Sequence, residues 1–303
     1  MRTLLLFILS FLALNSNLSA QQLPDTDMLL FDLNQKTDSI FLFSNPKFLT
    51  GFNPNGYNNQ PFFMNDNELY LAVQFPEDTS QTDIYALDLK DFVLTRITAT
   101  VESEYSPNLV PPRGEPGNQP FFSCVRVEVD EDNSQQLWRF PLDRSNNGQT
   151  VFTSIIDIGY HFWLNYHQVA LFIINNPHYL VVANTLDQSH HNVTSHIGRC
   201  FQEMPNGDLA FVHKTEGKTS LIKRMSTRTY NAALITAALP DSEDFAVMND
   251  GTIIMASGTK LFKFNKSIDT NWFEIADFSY YDIDKISRIA INKAQNKIVL
   301  VVE

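Results

Sequence analysis

The feature that most constrains the fold of this chain is a repeat of short apolar runs. From about residue 57 onward, runs of strand length rich in Phe, Tyr, Ile, Val and Leu alternate with tight polar turns, and helical spacing of apolar residues is almost absent. The first strands of successive units begin near six positions, 46, 55, 39, 45 and 44 residues apart: Asn59, Tyr105, Tyr160, Arg199, Asp244 and Arg288. Four-stranded units of this length are typical of β-propeller blades. We therefore predict an all-β, six-bladed propeller of four-stranded antiparallel blades.

The turns between the first and second runs of several units have the composition of hairpins. Residues 205–208 read Pro-Asn-Gly-Asp, and residues 249–251 read Asn-Asp-Gly. Asn-Gly and Asp-Gly pairs adopt the positive φ angles that tight hairpins require. The longest unit contains a Pro- and Gly-rich stretch at 111–117, which we interpret as an insertion between its first two strands.

The two ends of the chain are predicted to share one blade. The sixth unit contains only two strands before Glu303, and two apolar runs at 27–33 and 39–43 have no unit of their own. If these runs are the third and fourth strands of the last blade, the ring closes and no sheet edge is left exposed. Residues 21–303 are then a single propeller domain.

The first twenty residues are typical of a signal peptide. Arg2 precedes an apolar stretch at 4–14, and Leu-Ser-Ala at 18–20 precedes a polar segment. We predict cleavage near Ala20 and export to a periplasmic or extracellular space. We predict no transmembrane segment, because the apolar stretch is too short to span a bilayer and no later stretch is long enough.

Charge and cysteine content narrow the classes of partner. The chain has 22 basic and 34 acidic residues, a formal net charge of −12, and no Lys/Arg cluster. This composition argues against nucleic acid and anionic membranes as partners. We expect a monomer in which Cys124 and Cys200 are two buried thiols rather than a bridge.

One junction between units resembles a known family. The chain reads Arg-Ile-Thr at 96–98 and Tyr-Ser-Pro at 105–107, with matching first and third strands at 60–63 and 83–89. These residues resemble the blade junction of TolB-like propellers, closely over 57–110 and more loosely afterwards. The resemblance implies a six-bladed propeller from a group in which binding roles are common and several enzymes occur. We expect a lone propeller here, without the N-terminal α/β domain of TolB.

The residue that enters each first strand is expected to face one mouth of the central channel. The aligned positions are Asn59 or Gln60, Tyr105 or Ser106, Tyr160 or His161, Arg199, Glu243 or Asp244, and Ser287 or Arg288. From these and their neighbours, the predicted binding residues are Gln60, Tyr105, His161, Trp163, Arg199, Glu243, Asp244 and Arg288. Two arginines, carboxylates, a histidine and aromatic groups in one concave site would suit an oligosaccharide, a peptide terminus or a small anion.

Each of these residues also has a structural interpretation. Arg199 and Arg288 would pair with Glu243 or Asp244 only to satisfy buried charge, and Trp163 would be a core residue beside a hydrogen-bonded His161. On the functional interpretation, the propeller is a binding or scaffolding protein for a protein, peptide or glycan. A hydrolase or lyase with its active site at the channel mouth remains the alternative.

No local motif decides between binding and catalysis. The sequence lacks a G-x-S-x-G elbow, an H-E-x-x-H pair, a P-loop and a dinucleotide fingerprint. Three histidines, His190, His191 and His196, lack a metal-ligand spacing, and the acidic loop at 130–133 lacks the ligand alternation of a calcium site. We therefore predict neither a metal nor a cofactor.

Overall fold

The structure, a computed structural model, describes residues 23–114, 119–130, 132–216 and 219–303. In chain order the first twelve strands are β1 (Asp27–Gln35), β2 (Phe41–Phe48), β3 (Tyr57–Asn65), β4 (Glu68–Gln74), β5 (Asp83–Asp88), β6 (Leu94–Arg96), β7 (Ser103–Leu109), β8 (Phe121–Val127), β9 (Gln135–Pro141), β10 (Gln149–Thr150), β11 (Ile158–Asn165) and β12 (Gln168–Ile173). The second twelve are β13 (Tyr179–Asn184), β14 (His190–Ser195), β15 (Ile197–Glu203), β16 (Leu209–Lys214), β17 (Ser220–Met225), β18 (Ala232–Ala237), β19 (Phe245–Val247), β20 (Ile253–Ser257), β21 (Lys260–Phe264), β22 (Phe273–Asp277), β23 (Ile286–Ile291) and β24 (Lys297–Val302). A 3₁₀ turn, Ser279–Tyr281, joins β22 to β23.

These strands form six four-stranded antiparallel sheets, which confirms the predicted propeller. Blades 1 to 5 each contain four consecutive strands and begin at β3, β7, β11, β15 and β19. The first strand of each blade is the innermost, and neighbouring first strands contact one another around the axis. Five of them begin two residues before the predicted positions, and β19 begins one residue after Asp244.

Blade 6 closes the ring with both ends of the chain. Its strand order is β2-β1-β24-β23, and β1 pairs with β24 so that Met28 lies opposite Val301 and Leu30 opposite Val299. The two N-terminal runs are therefore the third and fourth strands of the last blade, as predicted. The closure leaves no inner sheet edge between the termini.

The core consists of six apolar clusters, one between each pair of neighbouring blades among the described residues. Successive side chains of a strand point to opposite faces, so one strand serves two interfaces. In β24, Ile298 and Leu300 pack toward blade 5, whereas Val299 and Val301 pack toward blade 1. This is why the centres of the second strands are apolar, with Ser123 of β8 as the exception.

The remaining predictions about the chain have mixed outcomes. The insertion at 111–117 lies between β7 and β8, although residues 115–118 are outside the described part, as is the predicted signal peptide at 1–20. Cys124 and Cys200 are buried free thiols, as expected. In the described residues no helix is long and apolar enough to cross a membrane.

The ring closure makes a prediction about two leucines of blade 6. Leu30 is 3% exposed between blades 6 and 1, whereas Leu42 on the outer strand is 47% exposed. Leu30→Ala should lower the free energy of unfolding by about 3 kcal/mol, because the packed interface cannot fill the space. Leu42→Ala, the matched control, should change it by less than about 0.5 kcal/mol in urea unfolding. Equal losses would mean that the N-terminal strands are not part of the closed ring.

A buried carboxyl group on β7 should make stability depend on pH. Glu104 is 0% exposed, and burial raises its pKa from 4.5 to about 7 despite hydrogen bonds from Thr100 and Thr98. Between these two pH values the folded protein keeps a proton that the unfolded chain has released, so stability falls as the pH rises through this window.

The Glu104→Gln variant removes this proton linkage. Near pH 8 it should be more stable than the native protein by an amount on the order of 2 kcal/mol, and the difference should vanish near pH 4. Chemical unfolding at both pH values measures the effect, with exposed Glu77→Gln as the control. A difference that does not change with pH would contradict this account of Glu104.

Candidate functional site

Six polar or amphipathic residues, one from each blade, line a cavity of about 120 Å³ on the propeller axis. We call this set the polar ring: Gln60, Ser106, Tyr160, Arg199, Asp244 and Arg288. Each member is a residue that the repeat alignment allowed at its position: Arg199 was the single candidate in its blade, and each of the other five was one of two. The cavity walls also include His161 and the proline that follows Gln60 and Ser106 in each strand.

Local irregularities in β3 and β7 turn the side chains of Gln60 and Ser106 inward. The pairing register shifts between Asn59 and Phe62 and between Tyr105 and Asn108. At these bulges Gln60 and Ser106 have φ angles of 56° and 55°. A bulge re-aims the side chain that it carries, at the cost of local strain. The Ser106 amide donates to Gln60 Oε1 at 2.7 Å and ties the two bulges together.

Arg288 is the best-paired charge of the polar ring. Its Nη1 lies 3.7 Å from Asp244 Oδ2, and its Nη2 donates to the Tyr160 hydroxyl at 3.0 Å. The Ile289 amide donates to Asp244 Oδ1 at 2.9 Å. Burial alone would raise the pKa of Tyr160, but the positive charges of Arg288 and Arg199 bring it below its ordinary value. The structural interpretation therefore describes Arg288 well.

Arg199 is held differently. Its Nη2 donates to the Ser287 carbonyl oxygen at 3.3 Å, and its Nε is buried without a hydrogen-bond partner. Among the described residues no carboxylate lies within ion-pair distance of Arg199. The structural interpretation, in which both arginines pair with Glu243 or Asp244, therefore does not describe Arg199, which is partly exposed.

His161 and Trp163 belong to a buried hydrogen-bond network centred on Ser123 of β8. The Trp163 indole donates to Ser123 Oγ at 2.8 Å, and Ser123 Oγ lies 2.7 Å from His161 Nε2. Burial lowers the pKa of His161 from 6.5 to about 3, so the imidazole is neutral near pH 7. An imidazole with this pKa is a weak general base, and Ser123 is 0% exposed. Sequence reasoning missed Ser123, because only the packing of blade 2 against blade 3 brings it beside His161.

Three predicted site residues do not line the ring cavity: Trp163, Tyr105 and Glu243. Tyr105 packs between blades 1 and 2, where its hydroxyl accepts from Thr82 Oγ1 at 3.1 Å. Glu243 forms an ion pair with Lys214 away from the axis. The repeat alignment allowed Tyr105 or Ser106 in blade 2 and Glu243 or Asp244 in blade 5. In each case the second residue faces the channel, because a shift of one residue moves a side chain to the other face of a strand.

A second and larger cavity opens where the first strands end and the hairpins begin. We call this cavity of about 580 Å³ the vestibule. It shares Phe62, Asn108, Phe162 and Gln202 with the ring cavity, so the two cavities adjoin. The rest of its lining comes from Leu109, Pro111, Trp163, Glu203, Met204, Pro205, Ala246, Val247, Met248, Asn249, Ile291, Asn292, Lys293 and Gln295. All six blades contribute to it.

Sequence reasoning considered only the mouth at which the first strands begin. The alternation of side chains along those strands nevertheless predicts which residues line the vestibule at their other end. Phe62, Asn108 and Phe162 each follow a ring residue by two positions. Inward-facing positions recur every second residue along a strand, so these residues form the next layer along the axis.

The histidines and acidic residues that were weighed as metal ligands do not converge. The His191 ring stacks on Tyr230 at 5.1 Å, and His196 Nδ1 lies 3.0 Å from Ser195 Oγ. Asp130 accepts hydrogen bonds from the amide and hydroxyl of Ser134 within its own hairpin. Within the described ranges, no three His, Cys, Asp or Glu side chains are arranged to hold a metal ion.

Comparison with solved structures identifies the type of propeller. A putative TolB from Agrobacterium tumefaciens superposes with a TM-score of 0.64 at 9% identity, over 92% of this chain and 98% of that one. TolB from Acinetobacter baumannii superposes with a TM-score of 0.53 at 11% identity, over 91% of this chain. This protein has the fold of a TolB-like six-bladed β-propeller. The resemblance found at 96–107 is thus confirmed at the level of the fold.

The comparisons show the fold of this TolB-like propeller and leave its activity open. The chain spans 64% of the length of the Acinetobacter TolB. A gluconolactonase from Xanthomonas campestris also superposes, with a TM-score of 0.51 at 12% identity, over 77% of this chain and 82% of that one. No protein-family model and no curated protein matches the sequence. One fold therefore carries a TolB and an enzyme, and function has to be argued from the site.

The buried pair of Arg288 and Asp244 makes a prediction about stability. Arg288→Met leaves Asp244 buried without its cation and should lower the free energy of unfolding by about 3 kcal/mol. Adding Asp244→Asn removes the uncompensated charge and should restore at least half of that loss. Urea unfolding of the two single variants and the double variant measures the coupling. Strictly additive losses would mean that the two charges do not interact.

Proposed function

We propose that this protein is an exported, non-enzymatic binding propeller that takes a peptide or glycan segment into its vestibule. The observation that carries the proposal is the vestibule itself, a cavity of about 580 Å³ to which all six blades contribute. Concave sites of this size that combine apolar and aromatic surface with polar groups are typical of ligand pockets. The bound segment is part of a protein, a peptide or a glycan in the cell envelope.

The lining of the vestibule favours a ligand that is largely uncharged where it contacts the wall. Aromatic surface comes from Phe62, Phe162 and Trp163, and side-chain amides from Asn108, Gln202, Asn249 and Gln295. Glu203 and Lys293 are the charged members, one of each sign. Aromatic faces pack on apolar faces of a sugar or side chain, while amides donate to and accept from hydroxyl or peptide groups. A peptide segment and a glycan both present this combination.

The alternative of a hydrolase or lyase depends on His161 and a carboxylate. His161 and Asp244 line the same ring cavity, which is the observation in its favour. Against it, the imidazole pairs with the Ser123 hydroxyl and Asp244 lies beside Arg288. Both candidate acid–base groups thus already have structural partners. We therefore favour binding over catalysis for this site.

The proposal is tested on Phe62, which lines both cavities and belongs to none of the six core clusters. Peptide and glycan arrays probed with the purified protein supply ligands, whose affinities are then measured by calorimetry. Phe62→Ala should weaken binding by ten- to a hundredfold, about 1–3 kcal/mol, with little loss of stability. Phe92→Ala removes a phenylalanine that is 45% exposed on blade 1 and serves as the matched control.

Three outcomes would contradict the proposal. Ligands that bind Phe62→Ala as tightly as the native protein would place binding elsewhere. The absence of any peptide or glycan ligand would do the same. Turnover of an array ligand that is lost in His161→Gln would favour the enzymatic alternative.

A further inference from the structure

The polar ring contains one more cation than it has anions. Its charged members are Arg199, Arg288 and Asp244, and burial keeps the adjoining His161 neutral near pH 7. The excess positive charge lies inside a protein whose formal net charge is −12. Arg199 is partly exposed, lines this cavity and has no described carboxylate within ion-pair distance, so the site favours an anion that enters the channel.

Arg199 is the cation of the ring that has no carboxylate within ion-pair distance among the described residues. Asp244 lies beside Arg288, whereas Arg199 makes one 3.3 Å hydrogen bond, to a backbone carbonyl. Three residues that line this cavity hold a buried polar atom without a protein partner: Arg199 Nε, Ser106 Oγ and His161 Nδ1. Buried polar groups are nearly always paired in native proteins. Their concentration around one small cavity indicates a site that is completed by a ligand.

The vestibule provides the route to Arg199. The two cavities meet at Phe62, Asn108, Phe162 and Gln202, and the ring cavity beyond this point is about 120 Å³. A chain lying in the vestibule can therefore extend one small terminal group past the two phenylalanines. It cannot pass a folded element through so small a space.

We propose that Arg199 binds the carboxylate at the end of a chain whose body lies in the vestibule. The inference rests on the proposed function, because the vestibule holds the rest of the ligand. A guanidinium fork matches a carboxylate through two parallel hydrogen bonds. The charges also match, since one carboxylate neutralises the single excess cation, whereas a phosphate monoester would carry about 1.5 to 2 negative charges. The carboxylate is that of a peptide C-terminus or of an acidic sugar.

The experiment compares each acid with its neutral counterpart. Calorimetry measures binding of N-acetyl-Ala-Ala and of its C-terminal amide, and of methyl glucuronide and methyl glucoside. At least one acid should bind tenfold or more tightly than its neutral counterpart. Comparing the peptide with the sugar shows whether the carboxylate is that of a peptide C-terminus or of an acidic sugar. Arg199→Gln should abolish this preference, and Arg199→Lys should retain part of it. Arg228→Gln removes an exposed arginine of the same blade and should retain all of it.

Melting temperatures of the variants establish that they are folded. Because the guanidinium of Arg199 has no carboxylate partner, Arg199→Gln should melt within a few degrees of the native protein. Equal binding of acid and neutral probes, a preference that persists in Arg199→Gln, or no binding of either acid would overturn the inference. Array ligands that depend on Phe62 but not on Arg199 would also overturn it, while leaving the proposed function intact.

Discussion

Apolar packing between neighbouring blades is the interaction on which the rest of the structure depends. A single four-stranded blade has two apolar faces and can bury them only against other blades, so the arrangement is stable only as a closed ring. The six clusters meet this requirement, and the antiparallel pairing of β1 with β24 completes it. That pairing holds both ends of the described chain in one blade.

The closed ring brings six first strands together around one axis and thereby creates a polar interior. Bulges at Gln60 and Ser106 turn side chains toward the axis in blades 1 and 2. Arg288 and Asp244 then satisfy one another, and Tyr160 accepts from the same guanidinium. Charge burial in this interior is thus compensated for one arginine and incomplete for the other. Arg288 has a carboxylate partner and Arg199 does not, and this difference is the main chemical feature of the channel.

The two cavities divide the chemistry of binding between them. The vestibule has aromatic and amide surface and almost balanced charge, whereas the ring cavity is small and positive. Together they would select a chain with an uncharged body and an anionic end. Specificity of this kind arises from a few buried polar groups within a larger apolar contact.

The sequence by itself determined the fold class, the number of blades and the shared last blade. These properties depend on local periodicity and turn composition. Both repeat six times along the chain, so an error of one residue in placing a single strand does not change the result. The repeat also identified the candidate residues at each position, including Gln60 as one of a pair and Arg199 alone. It could not decide between Tyr105 and Ser106 or between Glu243 and Asp244, because a single bulge reverses which side chain faces the axis. Three features were visible only in the tertiary structure. Ser123 contacts His161, Asp244 lies beside Arg288 and not beside Arg199, and the vestibule forms where the hairpins begin. Each of these contacts joins residues from different blades, and their separation in the sequence carries no local periodicity from which the contact could be predicted.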